Sequence, residues 1–435
     1  MRFTEWTSGF LYVSDLLLFG VVLLWFLQRP AIRWTLPDKL LGVFLGVALM
    51  SALFAEERFM SFYQVLRLFE CALLFGYVEH NISRFSLRSI GAVLVAAGFF
   101  QGALAIGQFT LQHDLGLYHI EPGPLGAWIR GVANFFTADG KFIRAYGTFP
   151  HPNVLAVFLL TAIGAVFSLQ MSHEGVESNK RNARVQIHAN TANSVIRSRY
   201  LRFVFFALFF LILAFLLTFS RAVILAGIAG LLALLFWAAM QERWRQKGVM
   251  AVGVFLVILV TLGVLLWPEL KSRFHFSRHE EAVEYRIVSS ESAWEVIKKH
   301  PAFGVGAGNF VAHIRRASFD TPKTFLADGI QPVHNVWLLI ASEMGLVGLF
   351  SYAAFLCALL YGFYRRQRNY RWAFVIVLAA LGALTLVDHY FWTLQQGRLI
   401  WWVGWGVAAG LAIENQPVGG AGTPRQDRGG SVPRK

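Results

Sequence analysis

The sequence predicts an all-α fold, a polytopic transmembrane helical bundle of about 11–12 spans with a large, partly helical outer loop. Three observations point there. The 435 residues are 56% hydrophobic and only 15% charged, a composition of integral membrane proteins. Apolar runs close to the ~20 residues a helix needs to cross the hydrocarbon core recur along the chain. Lys and Arg gather in alternate short connections, as the positive-inside rule requires.

Taken in order, runs near 9–28, 39–55, 59–80, 90–111, 153–170, 203–220, 222–240, 249–267, 346–364, 372–388 and 398–413 read as spans, eleven in all. The first is long and lacks a small-residue cleavage site, so it reads as a span and not as a removable signal. The second and third are parted only by AEERF, and the sixth and seventh by a very tight turn at Arg221. The segment 334–344 is too short to cross and reads as a half-helix ahead of the ninth span. The loops at 29–39, 81–89, 171–202, 241–248 and 365–371 carry the short-loop cations, and with eleven spans they share one face with the tail. That face is assigned to the cytoplasm, which places the N-terminus outside. Residues 1–413 therefore form one membrane domain with outer loops at about 112–152 and 268–333. Residues 414–435, rich in Gly, Pro and Arg, read as a disordered basic cytoplasmic tail.

The formal net charge of +14 would suggest nucleic acid in a soluble chain. Here the cations are explained by topology, and no nucleic-acid partner is expected. Phe (40) and Trp (14) suit helix gaps and the lipid interface. Cys71 and Cys357 lie inside apolar runs and offer neither a disulfide framework nor metal spacing.

Five outer segments carry the reactive side chains. In QPVHNVWLLIASEMGLVG, His334 and Asn335 stand where the second long loop meets the membrane. His334 reads either as an interfacial ring that caps a helix or bonds a carbonyl, or as a reactive group. Glu343, nine residues on, faces about 180° away on an ideal helix and reads as bonding a neighbouring helix or fixing the break before Gly345 and Gly348. In TFSRAVILAG, Arg221 either snorkels to the headgroups or, with Ser220, binds an anion. In YRIVSSESAWEVIKKHPAFGVGAGNF, residues 286–299 read as a helix outside the bilayer with Ile287, Ala293, Trp294 and Ile297 as its apolar stripe. Arg286 opens that helix. Gly306 and Gly308 in the turn after it either allow close packing or present N–H groups to an anion. In RAYGTFPHPN, Arg144, Thr148 and His151 read as polar groups on the outer surface, with Asn153 as a helix N-cap. In DHYFWTLQQGR, the aromatics read as an interfacial belt, and Asp388 and His389 as supporting groups. Deeper in, Asp15, Arg67 and Glu70 lie in or near apolar runs, where Arg67 and Glu70 can pair at i, i+3.

These segments resemble the O-antigen ligase/polymerase family of polytopic membrane glycosyltransferases. RAYGTFPHPN (144–153), FSRAVILAG (219–227), the Arg286 to HPAFGVGAGNF stretch (286–310) and HNVWLLIASEMGLVG (334–348) agree in order and spacing. The resemblance implies a GT-C-like fold in the bacterial inner membrane with its active site facing the periplasm. It implies transfer of a glycan from undecaprenyl diphosphate to an acceptor hydroxyl, inverting and without a metal or other cofactor. The acceptor is lipid A core for a ligase, another lipid-linked glycan for a polymerase, or a protein hydroxyl for an oligosaccharyltransferase. By motif, the catalytic residues fall on Arg221, Arg286 and His334, with Arg144, His151, Asn335, Gly306 and Gly308 as substrate-binding candidates. Family ligases usually show twelve spans, against eleven here.

Three rival readings remain at this level. A carboxylate-dependent transferase would use Glu56 and Glu57 in AEERF, often with a metal. A flippase of polyprenyl-linked glycans would use interior charges such as Arg67 and Asp15. A scaffold would use the basic tail.

Overall fold

The computed structural model describes residues 8–138, 140–181, 190–240, 245–274, 281–319, 330–366 and 371–414. The basic tail from 415, residues 320–329 of the second long loop, and parts of three short basic loops lie outside the described residues.

The chain is all-α and polytopic, with almost no sheet. Helices α1 (Val13–Leu27), α2 (Leu36–Leu53), α3 (Arg58–Asn81) and α4 (Leu87–Leu111) are followed by α5 (Pro152–Arg181), α6 (Asn190–Leu216), α7 (Arg221–Ala239) and α8 (Arg245–Leu265). The second outer loop carries α9 (Trp267–Phe274), α10 (Glu281–Lys299) and α11 (Phe310–Phe319). Then come α12 (Val336–Arg366), α13 (Arg371–Leu384), the single turn α14 (Tyr390–Thr393) and α15 (Gln395–Glu414). Each of the eleven apolar runs coincides with one of these helices. Among the described residues four, within α2, α3, α4 and α12, are long and apolar enough to cross a membrane by themselves, and five shorter apolar helices accompany them.

Helix starts follow local chemistry. Before α2, the Asp38 carboxylate accepts from the Thr35 N–H at 2.6 Å, with Pro37 in the first turn, where a missing N–H costs nothing. Small residues let helices close. A Cβ on Gly410 of α15 would stand 2.4 Å from Ile82 Cγ2, and one on Gly406 2.9 Å from Val78 Cβ, so α15 rides against α3 backbone to backbone. Around this seam Phe44, Phe75, Tyr352, Phe355 and Trp402 fill the core of α2, α3, α12 and α15. A second group, α4, α5 and α6, packs beside it, and α7 packs on α13.

The expected half-helix is present as the first part of α12. At Gly345 the backbone leaves the helix (φ 69°, ψ −175°), a conformation that favours glycine. The turn after α10 plugs the break. Leu346 N–H donates to Pro301 O at 2.8 Å and Gly306 N–H to Glu343 O at 2.8 Å. Irregular backbone at this depth is tolerated because protein groups satisfy it. A Cβ on Gly304 or Gly345 would meet opposing backbone at 2.4 and 2.1 Å, so these glycines are required by close approach.

Four expectations need correction. The first outer loop contains an antiparallel hairpin, β1 (Asn134–Thr137) with β2 (Gly140–Ile143), where no strand was read. In α10 the packed face is Ser289, Ala293, Val296 and Ile297, whereas Ile287 and Trp294 are exposed, because the helix docks through the i, i+4, i+7, i+8 row. Arg144 does not lie on the outer surface but is buried. The aromatics of DHYFW are not an exposed belt either. Tyr390, Phe391 and Trp392 are each 2% exposed or less, because the segment turns inward and Trp392 meets Phe44 and Tyr352 at ring separations of 6.1 and 5.6 Å.

Candidate functional site

The site begins with a turn under strain. Phe219, between α6 and α7, has φ 47°, a costly value for a bulky residue. Its ring is buried against Phe135 of the hairpin (4.4 Å) and Phe109 of α4 (5.5 Å), which holds the turn in place. That turn presents Thr218 O, the Ser220 hydroxyl and half-buried Arg221 in sequence.

Asn153, in the first turn of α5, joins three separate segments there. Its side-chain oxygen accepts from Arg144 Nη2 at 2.6 Å and from Ser220 Oγ at 2.9 Å, while its Nδ2 donates to Asp388 Oδ2 at 2.7 Å. Arg144 Nε donates to Thr218 O at 2.6 Å, and Asp388 Oδ1 accepts the His389 N–H at 2.8 Å. The α5 N-terminus is capped by His151, not Asn153, since His151 Nδ1 accepts the Asn153 N–H at 3.1 Å. Sequence reasoning placed Asn153 only as a cap. The available signal was that Asn153, Ser220 and Asp388 all stand at helix ends on the outer face.

His334 approaches from the other side. Tyr285 of α10 brackets the chain three residues earlier, its hydroxyl donating to Gln331 O (3.0 Å) and accepting the Gln331 N–H (2.6 Å). The imidazole of His334 packs edge-on to Tyr285 (5.7 Å) and to His389 (4.8 Å). Its Nδ1 is buried without a hydrogen-bond partner among the described residues. Arg286, next to Tyr285, is half-buried, and its charge acts on His151, His334, Asp388 and His389. His334, Asp388 and His389 each bring one nitrogen or oxygen within 4.8 Å of the others. Tetrahedral zinc with bonds near 2.0–2.1 Å needs ligand separations of roughly 3.4 Å, so this group must contract before it can hold a divalent ion.

The electrostatics favour neutral imidazoles beside one carboxylate. Burial pushes His334 down from its ordinary value, Arg286 adds to this, and Asp388 opposes it. Burial and the Arg144 charge lower His151 to about 3, and burial lowers His389 to about 3. Burial alone would raise Asp388, but the surrounding imidazoles and Arg286 hold it at about 2. An unprotonated ring next to a fixed carboxylate and a guanidinium can take a proton from an entering hydroxyl.

The remaining residues have structural partners. Asn335 caps α12, its Oδ1 accepting the N–H groups of Trp337 and Leu338 at 2.9 and 3.0 Å. The Gly306 N–H is committed to Glu343 O, and a Cβ there would strike Ala55 at 2.3 Å, so the turn's glycines serve close packing. Glu343 Oε1 faces the Phe310 N–H at 3.4 Å and so holds the start of α11. Glu56 pairs with His313 and with Arg316, each at 3.0 Å, and Glu57 also meets Arg316. The AEERF carboxylates thus tie α11 to the α2–α3 turn.

A search of the curated proteins found no match. Residues 206–353 match the model of the O-antigen ligase family, a segment that holds Arg221, Arg286 and His334 but not Asn153 or Asp388. Over that segment, about a third of its length, the helical membrane chain is similar to the O-antigen ligase family.

Proposed function

We propose that the protein transfers a glycan from undecaprenyl diphosphate to an acceptor hydroxyl at the periplasmic face, by inversion and without a metal. The observation that carries this reading is the meeting of His334, its Nδ1 buried and unpartnered, with Asp388 and the charge of Arg286 at one site. His334 acts as general base and withdraws the acceptor proton as the hydroxyl oxygen attacks the anomeric carbon. The anomeric C–O bond breaks as the new one forms, and the electron pair leaves with the lipid diphosphate. Negative charge grows on that diphosphate, and Arg221 and Arg286 stabilise it through charge-assisted forks. Neutralised in this way, the diphosphate departs without a protonating acid.

Arg144 is a positioning residue in this scheme. It holds Asn153, which holds Asp388, which lies beside the base. A flippase reading loses its main support because Arg67 is closed by Asp15 and Glu70 at 2.6 and 2.8 Å. The test is incubation of purified protein with lipid-linked oligosaccharide and a panel of lipid A core, lipid-linked glycan and protein acceptors, with products sized by mass spectrometry. The expected outcome is transfer to one acceptor class, and His334→Ala is expected to lose about 10²–10⁴ in rate at normal expression and folding. Retained transfer in that variant removes the base role.

A further inference from the structure

The hairpin of the first long loop has two faces, because a strand sends successive side chains to opposite sides. Phe135 is 3% exposed and packs on Phe219, in the turn before Arg221, at 4.4 Å. Phe136 faces the other way and is 64% exposed. Its cross-strand partner is Lys141. The Lys141 ammonium stands 5.4 Å from the Phe136 ring and 5.0 Å from the ring of Trp128, which is 82% exposed. Lys141 thus joins two outward rings into one patch with a cation at its centre.

The place of this patch in the fold names its occupant. On α8, Val257, Val260 and Val264 are exposed and recur at helical spacing, which is the lipid-facing stripe of an apolar helix. Helix α9 begins two residues after α8 ends, and its first residue, Trp267, is exposed where the stripe stops. The first turn of α9 therefore stands at the edge of the hydrocarbon, a level at which tryptophan is enriched. Lys271, one turn on, is exposed and shares a face with Trp267. Strand β1 packs against α9, so the hairpin is held at the same level. Two neighbouring elements thus bring an exposed tryptophan and a lysine to the membrane boundary. The rings suit the headgroup zone of any bilayer, and a lysine near the surface adds attraction to anionic headgroups. A neutral glycan would gain nothing from the ammonium, and a water-soluble partner would leave the continuity with the α8 stripe unexplained.

We propose that the hairpin and α9 form a plate that docks on the bilayer surface, with Trp128, Phe136 and Trp267 at headgroup level and Lys141 against the phosphates of anionic phospholipid. Phe135, on the reverse of the same strand, holds the Phe219 turn, so the plate sets the depth of Ser220 and Arg221 relative to the lipid. The use of that depth in catalysis rests on the transferase reading, whereas the docking does not.

The experiment uses the full-length protein with Cys357→Ser, which removes the exposed thiol and leaves buried Cys71. A nitroxide is attached at Phe136→Cys or, as the aqueous reference, at Glu295→Cys on exposed α10 surface. The protein sits in nanodiscs of phosphatidylcholine, alone or with phosphatidylglycerol. EPR power saturation then compares collisions with oxygen, which concentrates in lipid, and with a neutral nickel chelate, which stays in water. The label at 136 is expected to be open to oxygen and shielded from the chelate, and the label at 295 to show the reverse. A label at Trp128→Cys is expected to repeat the pattern, so that one poorly folding variant does not decide the matter. In anionic discs at low salt, Lys141→Gln is expected to lower the ratio of immersed to exposed label about fivefold, with little change in phosphatidylcholine alone. Labels at 136 and 128 as open to the chelate as the one at 295 would overturn the docking. Immersion indifferent to both phosphatidylglycerol and Lys141→Gln would overturn the choice of anionic lipid. Immersion that appears only after lipid A core or lipid-linked oligosaccharide is added would assign the patch to those molecules instead. A docked plate in a protein without transfer activity leaves the plate standing while the transferase reading falls, and transfer by an undocked protein does the opposite.

Discussion

Two buried guanidinium groups in this molecule behave oppositely. Arg67, between α1 and α3, is closed by Asp15 at 2.6 Å and Glu70 at 2.8 Å, with Gln395 Nε2 donating to Asp15 at 2.8 Å. Tyr63 and the Phe10 carbonyl take its remaining donors. Arg144, near the outer face, donates to an amide oxygen of Asn153 and a backbone carbonyl, and its nearest carboxylate in that network, Asp388, lies beyond Asn153. The first cluster compensates its charge locally and is a brace between helices. The second spreads charge across hydrogen bonds to a carboxylate that also faces three imidazoles. Buried charge in a membrane is a functional flag, and the comparison suggests how to read it: a closed cluster braces the fold, whereas one that ends beside a buried, unpartnered nitrogen, His334 Nδ1, is a candidate for chemistry.

Substitutions can break that contrast. The largest stability effect is expected from Arg67→Gln, which strands two carboxylates and should cost about 3–5 kcal/mol in unfolding from mixed micelles. Transfer per folded molecule is expected to stay within about threefold, and a selective collapse of rate would contradict the assignment of this cluster as a brace. Asn153→Ala should cost less, about 2–3 kcal/mol, because it removes hydrogen bonds to two charged groups without removing either charge. It should also lower transfer strongly, since Arg144 and Asp388 lose their common anchor. A variant stable and fully active would detach the network from the site.

The smallest effect is a shift in pH profile. His334 acts unprotonated, and its folded value lies below the ordinary histidine value. The rate should therefore fall on the acid side, at a pH below ~6.5. Asp388 raises that value and Arg286 lowers it. Asp388→Asn should move the acid limb to still lower pH and Arg286→Gln should move it towards neutrality, as read from transfer rate against pH. Movement in the opposite directions would mean the titrating group is not His334.

The eleven helices, the break before Gly345 and the pairing of Arg67 with Glu70 were legible in the sequence. Each depends on residues close in the chain: an apolar run of membrane length, a glycine interrupting it, an i, i+3 spacing. The hairpin at 134–143 was missed because four-residue strands in a long loop carry little periodic signal. The inward turn of Tyr390–Thr393 was missed because aromatics at a membrane boundary look the same in sequence whether they face lipid or a core built by α2 and α12.

By itself the sequence determined that this chain is a helical membrane protein, that its short-loop cations gather in alternate connections, and that its reactive side chains cluster in the opposite ones. Hydrophobic length and charge bias are properties of single stretches, so no folding is needed to read them. Only the tertiary structure decided that Asn153 and Asp388, 235 residues apart, share a hydrogen bond. Such contacts arise from helix packing, where a few small residues set how closely backbones approach, and no local pattern records which helices will be neighbours.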